Sequence, residues 1–336
     1  MIDSIAIYII HGFIVLGAVL LFFFAGPPAT LGVALRAGCR PLDEKNEKSA
    51  CLRLNSGAFN ATNALIEVKA LVAITPRHSG SPGAQKAAEH LFSRLRAAGI
   101  QSSLDEFQEE TPAGQMLFRN VIGVLPGRPA GDWIMVGAHY DAKAGIVENF
   151  QGANDSGSGC GVLLELARNI KSAPDLPVNF MFVFFDGEEC VDRYGKHDGL
   201  HGSRRLAAQL VNDGRSAKVR AVIILDMVGD RDLNITIPRN SALSLVSALF
   251  DAAQAEGTRE KFTLWPTQIL DDHTPFLAAG MPAIDIIDFE YGSAPGRNDY
   301  WHTPQDTVDK LGIQSMAVVG RTVLRLLDDL MRKYHG

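Results

Sequence analysis

Two apolar rhythms alternate along this chain. One repeats every three to four residues, as a helix with one buried face does. The other is a short unbroken apolar run, as given by a strand covered on both faces. The helical rhythm spans residues 59–74, with Leu65, Val68, Ala70 and Leu71 on one stripe. It returns over 84–98, with Ala87, Ala88, Leu91, Leu95 and Ala98 in phase, and Gly99 is placed to end that helix. Strands are expected at 102–107 and 118–125, and a Pro-Gly-Arg-Pro turn then leads to the apolar run 133–137, so this region reads as a meander.

From there helices and strands take turns: helix 162–170, strand 178–185, helix 202–210, strand 219–225. Strand 233–237, helix 243–255, strand 262–265, a short helix 275–279, strand 283–287 and a terminal helix 313–334 follow. Alternation of this kind predicts an α/β fold: a three-layer sandwich around a mixed, mostly parallel central sheet, with antiparallel strands at one edge. Composition does not break after residue 60, so residues 59–336 read as a single domain.

The first forty residues follow neither rhythm. From residue 5 to residue 35 there is no Lys, Arg, Asp or Glu, and 14–26 is almost pure hydrocarbon. Such a run is long enough to span a bilayer or to serve as the apolar part of a secretory signal. The segment preceding it carries Asp3 and no basic residue, so orientation rests on Arg36 and Arg40. Arg36-Ala37-Gly38-Cys39 resembles a lipoprotein processing box, except that Arg36 stands where that box has an apolar residue. Residues 1–38 are therefore expected to be a signal or membrane anchor and 39–58 a polar linker. The rest would lie outside the cytoplasm, secreted or membrane-anchored, which is the periplasm or cell envelope if the source is bacterial.

An apolar share of 46%, with 21% charged residues, suits a folded enzyme, and a net charge of −6 argues against a nucleic-acid partner. No protein partner is indicated. The four cysteines lack CxxC spacing, so no structural zinc knuckle is expected.

Candidate chemistry collects just after the strands. His139 and Asp141 follow the run 133–137, Asp155 opens the next helix, and Asp186, Glu188 and Glu189 follow FMFVFF. Asp226 closes VIILD, Asp271-Asp272-His273 precedes the short helix, and His302 follows Tyr300-Trp301. One such Asp is most often a helix cap. Six sites on the ligand-bearing side of one sheet are hard to reconcile with caps alone. Imidazole and carboxylate are zinc donors, and a catalytic zinc keeps one position for water or substrate. Neighbours on an extended turn point apart, so one of Glu188 and Glu189 can hold a metal while the other serves as a base.

The pieces AHYDA, GANDSGSG, FFDGEE, LDMVG and YWHTPQDT, in that order, resemble the zinc-dependent exopeptidase fold shared by co-catalytic aminopeptidases and animal-type glutaminyl cyclases. The resemblance covers roughly residues 60–334. It implies that Asp155, Glu189 and His302 bind a zinc and that Glu188 is the general base. In the aminopeptidase branch Asp155 would bridge to a second zinc held by His139 and Asp226. In the cyclase branch one zinc suffices, and Asp226 becomes a catalytic acid or relay partnered by Asp272. The stretches LHGSRRLAA and DDHTPFL, and Trp301 before His302, are similar to the cyclase branch, in which Trp301 would form an apolar wall against the substrate. Departures exist. Asp285 stands where animal cyclases have a histidine, and Ala138 stands opposite Cys160, so their disulfide cannot form. Cys160 and Cys190 read as small buried side chains, a bridge between them being the alternative.

The resemblance thus implies cyclisation of an N-terminal glutamine on peptides or proteins to pyroglutamate, with release of ammonia. The alternative is aminopeptidase hydrolysis through one or two zinc ions. A non-catalytic ectodomain is disfavoured because no ligand-type residue has been lost.

Overall fold

The computed structural model describes residues 54–128 and 131–334, which belong to one unit running from residue 52. The segment expected to be a signal or anchor lies outside them. Helices α1 (Ala61–Val72) and α2 (Pro82–Ala97) come first. The Asn60 side chain caps α1 by accepting from the Thr62 and Asn63 amides, and Ser81 caps α2 at Ala84. Gly99, at φ +72°, closes α2 with the paired bonds Gly99 N–H to Arg96 and Ile100 N–H to Leu95. The expected linker is not free at its end: Leu54 is buried and its amide donates to Asp328 at 3.0 Å.

A hairpin follows, β1 (Gln101–Thr111) against β2 (Gly114–Leu125), both longer than their apolar cores predicted. Then come β3 (Trp133–His139), α3 (Gly159–Lys171), β4 (Asn179–Phe185), α4 (His201–Asn212) and β5 (Val219–Asp226). Next are β6 (Ile235–Ile237), α5 (Leu243–Ala255), β7 (Phe262–Leu264) and α6 (His273–Ala278). The last elements are β8 (Ala283–Ile287) and α7 (Ile313–Lys333).

The main sheet runs β1-β2-β4-β3-β5-β8, with β4, β3, β5 and β8 parallel and β2 antiparallel to β4. This corrects the meander: β3 does not pair with β2, because β4 lies between them. The reason is burial. All seven residues of β4 are buried and six of seven in β3, so both need neighbours on each side and helices on each face. The exposed, charged β1 takes the edge. Strands β6 and β7 also leave the main sheet and pair with each other.

Alternate side chains of β4 serve different layers. Phe180, Phe182 and Phe184 pack under α1, α3, α5 and α7, while Met181, Val183 and Phe185 pack against Leu206 and Leu210 of α4 and Phe276 of α6. The three expected layers are therefore present. Among the described residues no helix is long and apolar enough to cross a membrane.

Candidate metal centre

Three parallel strands end side by side in the order β4-β3-β5, which brings the residues after them to one rim. His139 is the last residue of β3 and Asp226 the last of β5. Asp155 reaches the same rim from the turn before α3. That turn can sit so close because Gly159 has no side chain: a Cβ there would stand 2.3 Å from the Leu225 carbonyl. Two residues at the rim hold left-handed backbone, Met227 (φ +46°) and His302 (φ +54°), as residues at functional sites often do.

The ligand-type atoms of Asp155, Glu189 and His302 lie within 4.8 Å of one another, and so do those of His139, Asp155 and Asp226. His302 Nε2 is 2.9 Å from Glu189 Oε1 and 3.2 Å from Asp155 Oδ2. His139 Nε2 is 3.1 Å from Asp155 Oδ1 and 3.3 Å from Asp226 Oδ1. Asp155 thus turns one oxygen to each imidazole, and all five sequence-predicted ligand residues converge.

The electrostatics follow from the crowding. Burial would lower His302, but its bonds to Asp155 and Glu189 hold it up, at about 10. Burial also opposes charge on His139, and Asp141, Asp155 and Asp226 outweigh it to raise that residue well above its ordinary range. Burial would raise Asp155, yet the two imidazoles hold it low. Glu188 is raised well above a normal carboxyl by burial, with Glu189, Asp272 and Asp141 adding to it. A buried Glu189 oxygen, Oε2, has no hydrogen-bond partner, only Lys143 Nζ at 3.4 Å. Buried carboxylates converging on imidazole nitrogens are the donor set of a zinc site, which the cation would relieve of mutual repulsion.

The roles of several supports escaped the sequence reading. Asp141 lies 3.4 Å from His139 Nδ1 and accepts the Glu188 and Glu189 amides, each at 3.2 Å. It therefore orients a ligand histidine and the acidic pair together, as second-shell carboxylates do. Asp306 accepts the Asn154 and Asp155 amides at 2.7 and 3.1 Å and the Tyr291 hydroxyl at 2.9 Å. Fully buried Arg77 donates to the carbonyls of Tyr140, Gln151 and Gly152, which ties down the loop entering Asp155. The Tyr194 hydroxyl donates to Glu188 Oε1 at 2.9 Å. Asp141 and Asp306 sit within the AHYDA and YWHTPQDT pieces and were findable there; Arg77 and Tyr194 carried no pattern.

The expected Asp272–Asp226 hydrogen bond is not formed. Asp226 is met by His139, while both oxygens of buried Asp272 lack hydrogen-bond partners. Asp271, His273 and Asp285 form a third close group. It is a poor metal site. Asn240 is oriented by Ile269, donating to its carbonyl and accepting its amide, so its Nδ2 donates to His273 Nε2 at 2.8 Å. His273, which burial lowers to about 4, is then neutral with its proton on Nδ1, facing Asp285 Oδ2 at 3.8 Å. That nitrogen has no lone pair for a metal. Burial pushes Asp271 and Asp285 well above the carboxylate range.

Trp301 stacks on His302 (centroids 4.1 Å apart) and meets the edge of Phe289 at 5.2 Å. Cys160 and Cys190 are both free and buried, and no bridge joins them. Burial pushes the Cys160 thiol up to about 12.

An α/β sandwich with imidazoles and carboxylates converging at strand ends defines a zinc-dependent enzyme of the exopeptidase and glutaminyl-cyclase type. The sequence profile of Peptidase family M28 matches residues 120–327, and the chain belongs to that family. It is 28% identical over 274 residues to the glutaminyl-peptide cyclotransferase of Boiga irregularis, covering 70% of this chain and 72% of that one. The crystal structure of an Acidobacteriales bacterium glutaminyl cyclase superposes with a TM-score of 0.75 at 34% identity, over 82% of this chain and 95% of the other. A leucine aminopeptidase precursor from Bacteroides thetaiotaomicron superposes with a TM-score of 0.71 at 26% identity, over 82% and 99%.

Proposed function

We propose that this protein is a zinc-dependent glutaminyl-peptide cyclotransferase, converting the N-terminal glutamine of peptides to pyroglutamate and releasing ammonia. The single observation that carries this reading is the company of Asp226. Asp271, Asp272 and Asp285 lie in its field and are raised by burial, Asp272 to about 7. A carboxylate ringed by buried acids of raised proton affinity is suited to handing protons on, which supports a relay role.

Asp155, Glu189 and His302 would hold one zinc, whose charge would polarise the γ-amide carbonyl. Glu188, made more basic by burial, takes a proton from the α-amine as that nitrogen bonds to the carbonyl carbon of the side-chain amide. It delivers the proton to the amide nitrogen as the old C–N bond breaks, so none is drawn from solvent. Asp226 assists the transfer, with Asp272 beside it as a second proton-bearing group. Trp301, held against His302, offers an apolar face that folds the glutamine side chain toward its ring and keeps water out.

Hydrolysis is the second reading, favoured by the way Asp155 presents one oxygen to each imidazole, as a bridge between two metals would. Incubation with Gln-initiated and Leu-initiated peptides separates the two. Ammonia and a pyroglutamyl peptide are expected from the first and no reaction from the second; free N-terminal amino acid without cyclisation would overturn the proposal.

The uncharged stretch 5–35 supports an extracytoplasmic enzyme, exported or anchored by residues 1–38, with 59–336 as the catalytic domain. Cell fractionation of the full-length protein, with activity recovered in the cytosol, would contradict that placement.

A further inference from the structure

The loop between β4 and α4 is built around one residue. Buried Asp198 accepts the amides of Val191, Asp192 and Arg193 at 2.6, 2.8 and 2.9 Å, and Gly195 and Asp198 exchange backbone bonds. Arg204 adds a bond to the Gly195 carbonyl at 2.5 Å. These bonds flank Tyr194 on both sides in the sequence, and its side chain turns back to Glu188 at the start of the same loop. Gly199 makes room for the ring, at φ +72°: a Cβ there would stand 2.4 Å from Tyr194 Cδ1.

The hydroxyl donates to Glu188 Oε1 at 2.9 Å. Glu188 is otherwise fixed only through its backbone, its amide donating to Asp141 and its carbonyl accepting from Leu200 at 3.0 Å. Among the described residues no hydrogen bond to Glu188 Oε2 is formed. We propose that Tyr194 is a positioning residue: its hydroxyl pins one oxygen of Glu188 and leaves Oε2 as the oxygen that exchanges protons with substrate. This rests on the reading of Glu188 as the base. Burial and the neighbouring carboxylates push Tyr194 itself up, so its hydroxyl keeps its proton and stays a donor. A glutamate that must collect a proton from one nitrogen and give it to another gains from a fixed carboxylate plane, because each stray rotamer is an unproductive complex.

Tyr194→Phe tests this, since it removes one oxygen and keeps the ring that packs on Gly199. On the zinc-loaded enzyme kcat for a Gln-initiated peptide should fall about ten- to a hundredfold, the effect of losing a hydrogen bond to a charged group. KM should stay within roughly twofold and zinc per chain should be unchanged, as expected when an interaction with the reacting group alone is lost. An unchanged kcat overturns the proposal, as does a kcat loss that comes with zinc loss or a matching rise in KM. The wild-type assay reports separately on the cyclase reading. If wild type proves inactive on that peptide, a crystal structure of the variant still decides: Glu188 in its original rotamer overturns the clamp, and a displaced carboxylate upholds it.

Discussion

Glu188 and Glu189 are adjacent in sequence and opposite in task, and their surroundings separate them. Glu189 Oε1 meets His302, whereas Glu188 is met by a tyrosine hydroxyl and lies in the field of Asp272. Glu188→Gln keeps the shape and one acceptor for Tyr194 but cannot carry a proton. It should retain full zinc by atomic absorption while losing at least about a thousandfold in kcat, within or beyond the usual range for a general base; retained activity would remove it from the mechanism. His139 poses the complementary question. If it serves a relay site and not a second metal, His139→Ala should leave zinc at one per chain. A drop from two to one would mean that Asp155 bridges a metal pair.

At the scale of elements, the sequence rhythm located every long helix and strand because burial on one or both faces leaves a periodic trace. Strand order left none: β3 and β4 carry equally apolar runs, and only packing decides that β4 sits between β2 and β3. The hairpin arms were read short because their outer halves are polar and exposed, which is what an edge permits. The site was legible for the same reason as the sheet, since its ligands stand at strand ends. Arg77 and Tyr194 were not, because each acts through contacts that only the folded chain brings about, three carbonyls for Arg77 and one carboxylate oxygen for Tyr194. Helix α3, which follows the Asp155 turn, depends on close backbone approach to α1: a Cβ at Gly161 would come within 2.5 Å of the Ala64 carbonyl. Gly161→Ala should therefore destabilise the zinc-loaded enzyme by about 1–3 kcal/mol in urea unfolding despite the better helix propensity of alanine. A neutral result would mean that the two helices separate without cost.

Across the whole molecule, buried carboxyls with raised proton affinity make stability depend on pH. Asp288 isolates the effect, because its neighbours are Asp230 and Glu290 and not the metal centre. Burial pushes it up to about 7, against the two backbone amides, of Asn234 and Glu290, that it accepts. The native state therefore binds a proton between about pH 4 and pH 7 that the unfolded chain does not. Stability from this group is complete at the acid end and declines as pH rises through 7, by a few kcal/mol at most. Asp288→Asn removes that titration. It also leaves one of the two amides facing an NH2, which adds a cost that does not vary with pH. The test is therefore a slope. The stability of the variant relative to wild type, from urea unfolding of the zinc-loaded proteins, should rise from pH 4 to pH 7 and then level. Zinc binding varies with pH in both proteins and cancels in the difference. A flat difference would mean that Asp288 is ionised in the folded protein across that range.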